Sequence, residues 1–129
     1  AFPGGRVDPG DGDDRWRTAC REAHEELGLD PDVLVPLGCL DDHHTISRYV
    51  VTPWVAWVPA EARLAPEPRE VERWFTVPLA ALADPARHRR MIGERPGVRE
   101  PLHFYLGAEA TIWGATGAMT ADLLARLAP

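Results

Sequence analysis

Three glutamates crowd about a turn and a half of the stretch "REAHEELGL", residues 21–29. Glu22 and Glu26 are four apart and Glu25 is three beyond Glu22, so on a helix their carboxylates are neighbours. Each like-charged pair at that spacing costs about 0.2–0.5 kcal/mol. The cluster also sits near the helix C-terminus, where the macrodipole disfavours negative charge. The arrangement works against helix stability, and a divalent cation reverses the sign. Mg²⁺ takes carboxylate oxygens at about 2.0–2.1 Å and keeps waters and substrate phosphates as its other ligands. The plainer reading is a solvated Glu-rich face, partly neutralised by Arg21, four before Glu25, and Arg17, five before Glu22.

The elements that must position these groups are legible around them. Residues 4–14 are rich in Gly, Pro and Asp and predict a loop. Asp13 and Asp14 are N-cap candidates for a helix over 15–27, with Gly28 as its stop. Trp16, Ala19, Cys20, Ala23 and Leu27 form its apolar stripe, and the glutamates flank that stripe. Residues 33–40 predict a strand made irregular by Pro36 and Gly38, and 41–48 a turn. The stretch "YVVTPWVAWV", residues 49–58, predicts a buried strand with Pro53 at an edge or bulge. Trp54 and Trp57, three apart, then point to opposite faces, one stacking on a base or both packing in the core. A Pro-rich loop follows over 59–69, a strand over 71–77 and a helical turn over 79–83. Residues 89–92 and 103–106 predict a hairpin around "GERPG", and Met119, Leu123, Leu124 and Leu127 an amphipathic closing helix over 117–127. This order predicts an α/β or α+β domain, a mixed sheet with helices against it.

The chain has 129 residues, 45% hydrophobic, which suits one domain with a modest core. A net charge of −6 gives no general attraction to nucleic acid or an anionic membrane, so a phosphate-bearing ligand needs a local cation cluster or a metal. No apolar run approaches transmembrane length. Cys20 and Cys39 fit neither a disulfide framework nor a zinc site, and a reducing, cytoplasmic setting is the expectation. Cys20 lies on the apolar stripe as a buried thiol. Every basic residue other than His is Arg, and Lys, Asn and Gln are absent, a composition bias with no functional weight. His43 and His44 beside Asp41 and Asp42 form either a metal cluster or a solvated turn. Arg87, His88, Arg89 and Arg90 form either a phosphate grip or a basic surface loop. Oligomeric state is not legible.

The pattern "GG…REAHEELGL" resembles the Nudix box, G-x5-E-x7-R-E-U-x-E-E-x-G-U with U a bulky apolar residue. Gly5, Arg21, Glu22, Glu25, Glu26, Gly28 and Leu29 occupy box positions, and Ala23 is a small occupant of a bulky one. The upstream Glu is replaced by Asp, at Asp11 by count from Gly5 or at Asp13 by count back from Arg21. The segments "AFPGG", "TACREAHEELGL", "VTPWVAWV", "EVERWFTVPL" and "IWGATGAM" are similar to the coenzyme A diphosphatase branch of Nudix hydrolases, which tolerates Asp and a longer spacer there. The resemblance covers essentially the whole chain. It implies an α/β/α sandwich with a mixed sheet and hydrolysis of a small nucleotide substrate. Glu22 and Glu26 would be the main ligands of Mg²⁺ or Mn²⁺, with Glu25 assisting. Gly4 and Gly5 would let the loop approach the metal–diphosphate site, and Arg21 would tie loop to helix. A box glutamate or Glu70 would be the base that activates water. Arg89, within the basic run, is a candidate for the 3′-phosphate of coenzyme A. ADP-ribose or a nucleoside triphosphate as substrate, and a non-catalytic nucleotide-binding module, remain the alternatives. In that branch a further motif and strand precede "AFPGG", so residues 1–129 are expected to be a Nudix domain lacking its N-terminal strand.

Overall fold

The computed structural model describes residues 1–128, with strand position alone for Arg95 and Val98. The order of elements is a 3₁₀ turn Pro9–Asp11, α1 Arg15–Leu27, a 3₁₀ turn Pro31–Val33, β1 Val35–Cys39, β2 His43–His44, β3 Val50–Val51, β4 Trp54–Trp57, α2 Leu79–Leu82, a 3₁₀ turn Pro85–Arg87, β5 His88–Arg95, β6 Val98–Leu106, β7 Thr111–Ile112 and α3 Gly114–Leu127. Helices and strands mix as the sequence implies, and every pairing among the described residues is antiparallel. None of these helices is long and apolar enough to cross a membrane. The chain divides into two compact units.

One unit comprises Phe2–Cys39 and Thr52–Trp74. Its centre is α1, whose ends are set as the sequence predicts. Asp14 is the N-cap and accepts from the Trp16 N–H at 3.0 Å. Gly28 ends the helix in the left-handed region, φ 65°, with Gly28 N–H to His24 O at 2.8 Å and Leu29 N–H to Ala23 O at 3.4 Å. The apolar stripe packs inward: Cys20 is buried and the Trp16 ring meets Trp54 at 5.4 Å between centroids, and Leu29, just past the helix stop, is buried too. β1 pairs with β4, and the register shifts between Pro36 and Gly38, a bulge that leaves Leu37 without a partner.

The second unit comprises Leu40–Val51 and the chain from Phe75 onward. The long hairpin β5–β6 turns at Pro96–Gly97, adds β7 on the far edge of β6, and packs α3 against β6. Gly117 makes that packing possible, because a Cβ there would strike the His103 carbonyl oxygen. Tyr105 is 3% exposed at the centre of this unit.

Several of the expectations need correction. The apolar run 49–58 is two short strands, not one, since Pro53 lacks the N–H a continuous ladder needs. It is not buried throughout either: Trp54 packs on Trp16, whereas Trp57 is 61% exposed. Residues 71–77 form no strand. The expected turn 41–48 contains β2, which pairs with β3. Strand β7 was not foreseen, and the closing helix begins three residues earlier than the apolar repeat indicates.

Candidate active site

Asp11 begins the site. Asp8, Pro9 and Asp11 build a capping box around a single 3₁₀ turn: Asp8 Oδ1 accepts from the Gly10 N–H at 2.8 Å, and Asp11 Oδ2 accepts from the Asp8 N–H at 3.0 Å. This turns the Asp11 carboxylate away from solvent and toward α1. There the Thr18 hydroxyl donates to Asp11 Oδ2 at 2.9 Å, and Arg21 Nε and Nη2 donate to Oδ1 and Oδ2 at 3.1 Å each. The guanidinium, then the Asp8 N–H, hold the Asp11 carboxyl well below the usual carboxylate range, while Asp11 holds Arg21 above its own. Of the two candidates for the upstream acid, Asp11 meets Arg21, and Asp13 lies in the exposed turn before α1.

Arg21 then fans across the loop and the helix. Its Nη2 donates to the Arg6 carbonyl at 2.9 Å, and its Nη1 to Glu22 Oε1 and Glu25 Oε2 at 3.0 Å each. One planar group thus fixes the loop 2–14 to the helix and orients two of the three glutamates. The loop passes directly over Glu22. A Cβ at Gly5 would lie 2.5 Å from Glu22 Cδ and 2.7 Å from Oε2, so only glycine leaves that carboxylate where it stands. Gly4 N–H points at Glu26 Oε1 at 3.4 Å.

Glu26 is displaced in the opposite direction to Asp11. Burial raises its carboxyl above the ordinary range; the charges of Glu22 and Glu70 raise it further, against the lowering effect of the Gly4 N–H. Glu70 reaches this neighbourhood because the loop after β4 docks on the end of α1. Ala65 N–H donates to Leu27 O at 2.7 Å and Glu67 N–H to Glu26 O at 2.9 Å. The loop then curls back, with Glu70 N–H and Val71 N–H both to Glu67 O. Gly28 admits this loop: a Cβ there would meet Ala65 atoms at 2.8–3.2 Å. As placed, no three His, Cys, Asp or Glu side chains among the described residues form a closed ligand set.

Sequence reasoning overlooked the Asp8 capping box, the Thr18 hydroxyl and the docking of Ala65 and Glu67. The first had a signal, since Asp-Pro-x-Asp is a helical-turn start. Thr18 had none, being one hydroxyl on an otherwise apolar-facing helix. Arg89 lies on β5 in the other unit, where its Nη1 donates to Ala86 O and His88 O at 2.9 Å each. Arg87 pairs with Asp84 at 3.7 Å. His43 and His44 form the β2 strand.

Residues 1–95 match the NUDIX domain. The chain is similar to the protein named uncharacterized Nudix hydrolase NudL from Photorhabdus laumondii, 33% identical over 123 residues, covering 95% of this chain and 65% of that protein. Its namesake from Yersinia pestis is also 33% identical over 123 residues, 61% of its length. The chain therefore spans less than two thirds of these curated relatives. The match over residues 1–95 includes the Asp11–Arg21 clamp, the Gly4–Gly5 loop and the three glutamates, and on it the chain belongs to the NUDIX family.

Proposed function

We propose that this chain carries the catalytic site of a metal-dependent hydrolase that cleaves the diphosphate of coenzyme A or its derivatives, giving 3′,5′-ADP and 4′-phosphopantetheine. The observation that carries the metal-dependent reading is the gathering of Glu22, Glu26 and Glu70, where burial first, and then the charges of Glu22 and Glu70, raise the Glu26 carboxyl above its ordinary value. A divalent cation relieves that excess of negative charge. The donors are all carboxylate oxygens, the set that Mg²⁺ and Mn²⁺ take. Glu22 and Glu26 are taken as the ligand pair on their positions in the box, with Glu25 assisting; Arg21 engages one carboxylate oxygen of Glu22 and one of Glu25, which leaves each a second oxygen. When bound, the metal neutralises charge on the diphosphate and acidifies the attacking water.

The remaining work belongs to the chain. Arg21, anchored by Asp11, keeps Glu22 and the Gly4–Gly5 loop in one geometry. The glycine loop leaves backbone room for the diphosphate. Glu70 stands beside Glu26 as the candidate to take the proton of the attacking water. Coenzyme A is favoured by the similarity of "TACREAHEELGL" and "IWGATGAM" to that branch. The test is hydrolysis of coenzyme A, ADP-ribose and a nucleoside triphosphate, each with Mg²⁺, with Mn²⁺ and with chelator. Metal-dependent formation of 3′,5′-ADP from coenzyme A is expected. Turnover of ADP-ribose or the triphosphate alone would replace the substrate, and no turnover of any would leave a nucleotide-binding module.

A further inference from the structure

His88 opens β5 and His103 lies diagonally across from it on β6, on the face that packs against α3. The two rings are stacked, 5.1 Å between centroids and 4° from parallel, and His88 Nε2 lies 3.0 Å from His103 Nδ1. Tyr105 stacks on His88 at 4.7 Å. The rings form the polar part of an otherwise apolar cavity of about 660 Å³. From α2 and the following 3₁₀ turn, Leu79, Ala80, Leu82, Ala83 and Pro85 face it; from α3 come Ala121, Leu124, Ala125, Leu127 and Ala128. Among the described residues no carboxylate lines the cavity. The titratable or charged groups acting on the pair are Tyr105, on the floor, and Arg90, directly opposite His103 in the register. The acidic residue of α3, Asp122, is engaged with Arg126 and the Asp41 N–H.

A ring-nitrogen to ring-nitrogen hydrogen bond needs one donor and one acceptor. The neutral pair provides both, and so does a pair carrying one positive charge. A doubly protonated pair has N–H groups on both facing nitrogens and no acceptor. It also places two charges about one ring apart, with Arg90 as a third and, among the described residues, no anion in the wall.

We propose that the His88–His103 pair is an acid-sensitive clasp: it joins the two strands beneath α3 while it holds at most one extra proton, and a second proton opens it. Burial first, then His88 and Arg90, keeps the His103 imidazole below its ordinary value, in the same direction. The sign follows from linkage. The unfolded chain takes up protons at the ordinary value, 6.5 for His103, and the folded chain resists until lower pH. Stability is complete above that value and is lost as pH falls below it.

The test uses the whole chain. Denaturant midpoints are measured from about pH 7.5 to about pH 5, above the ordinary carboxylate range. The wild type is compared with a His88→Gln/His103→Asn double substitution, in which the amides can bond at the same nitrogen positions but cannot titrate. The wild-type midpoint is expected to fall over this interval, and the double variant to lose about half of that fall or more. The other three histidines are common to both chains, so whatever they contribute cancels in the difference. Equal pH slopes in the two chains would overturn the proposal. Should the double variant fail to fold, the imidazole resonances of the wild type decide. A His103 titration that is depressed and coupled to the neighbouring ring supports the clasp, and an independent His103 titration at its ordinary value ends it.

Discussion

At the scale of single residues, Arg21 and Glu26 stand in opposite electrostatic settings. Arg21 satisfies Asp11, Glu22, Glu25 and the Arg6 carbonyl, whereas Glu26 is pressed by burial and by Glu22 and Glu70. Glu26→Gln is therefore expected to separate stability from activity. Without metal it should melt no lower than the wild type, because an ionised group with a raised folded value opposes folding above that value, and the change removes it. Metal-dependent turnover should fall by more than the roughly 10–100-fold typical of an outer-shell partner. Thermal melts in chelator and steady-state assays at saturating Mg²⁺ check both; near wild-type turnover would remove Glu26 from the ligand set. Asp11 predicts the opposite sign. Its folded value is depressed, so its contribution is present above the ordinary 3.8 and is lost as pH falls below it. The wild-type denaturant midpoint should fall on acidification below about pH 4, and Asp11→Asn should be less stable at neutral pH with that limb flattened.

At the scale of elements, the C-terminus of α1 joins helix and loop. Gly28 holds φ 65° and lies against Ala65. Gly28→Ala puts a side chain into the left-handed region and into that contact at once. It should cost about 1–3 kcal/mol from the backbone alone, read as a lower denaturant midpoint. It should also lower turnover in excess of the stability loss, because the loop that carries Glu70 is pushed off the Leu27 and Glu26 carbonyls. A midpoint shift with unchanged kcat would mean that Glu70 plays no part in the reaction.

Two properties of the whole molecule follow from composition and exposure. A cation that binds the folded chain alone stabilises it by mass action, about 2.7 kcal/mol at a hundredfold excess over Kd. Millimolar Mg²⁺ or Mn²⁺ should raise Tm in the wild type and much less in Glu26→Gln; an unchanged wild-type melt would count against the site. Among the described residues the β1–β4 sheet has two strands, and it displays Val35, Leu37 and Trp57, each more than half exposed. A two-stranded apolar ribbon is a template for association. Leu37→Glu with Trp57→Lys should raise the temperature at which scattering begins, with little change in the unfolding midpoint, since exposed positions usually move stability by about 0.5 kcal/mol or less.

The helix that carries the glutamates was legible because its determinants are local. Asp14 at the N-cap, the 3.6-residue apolar stripe and Gly28 at the stop each act within a few residues. The hairpin around Pro96–Gly97 was legible for the same reason. The acid that meets Arg21 was not, since Asp11 and Asp13 fit by count and only the capped turn at Asp8 decides which carboxylate faces the helix. Apolar content also misled: "YVVTPWVAWV" has the composition of a buried strand, but burial depends on what lies across from it, and Trp57 has too little. The closeness of Glu70 to Glu26, more than forty residues apart in the chain, and the stacking of His88 on His103 are long-range juxtapositions. They arise from a loop docking on a helix end and from the register of two strands, and no residue within reach along the chain encodes either one.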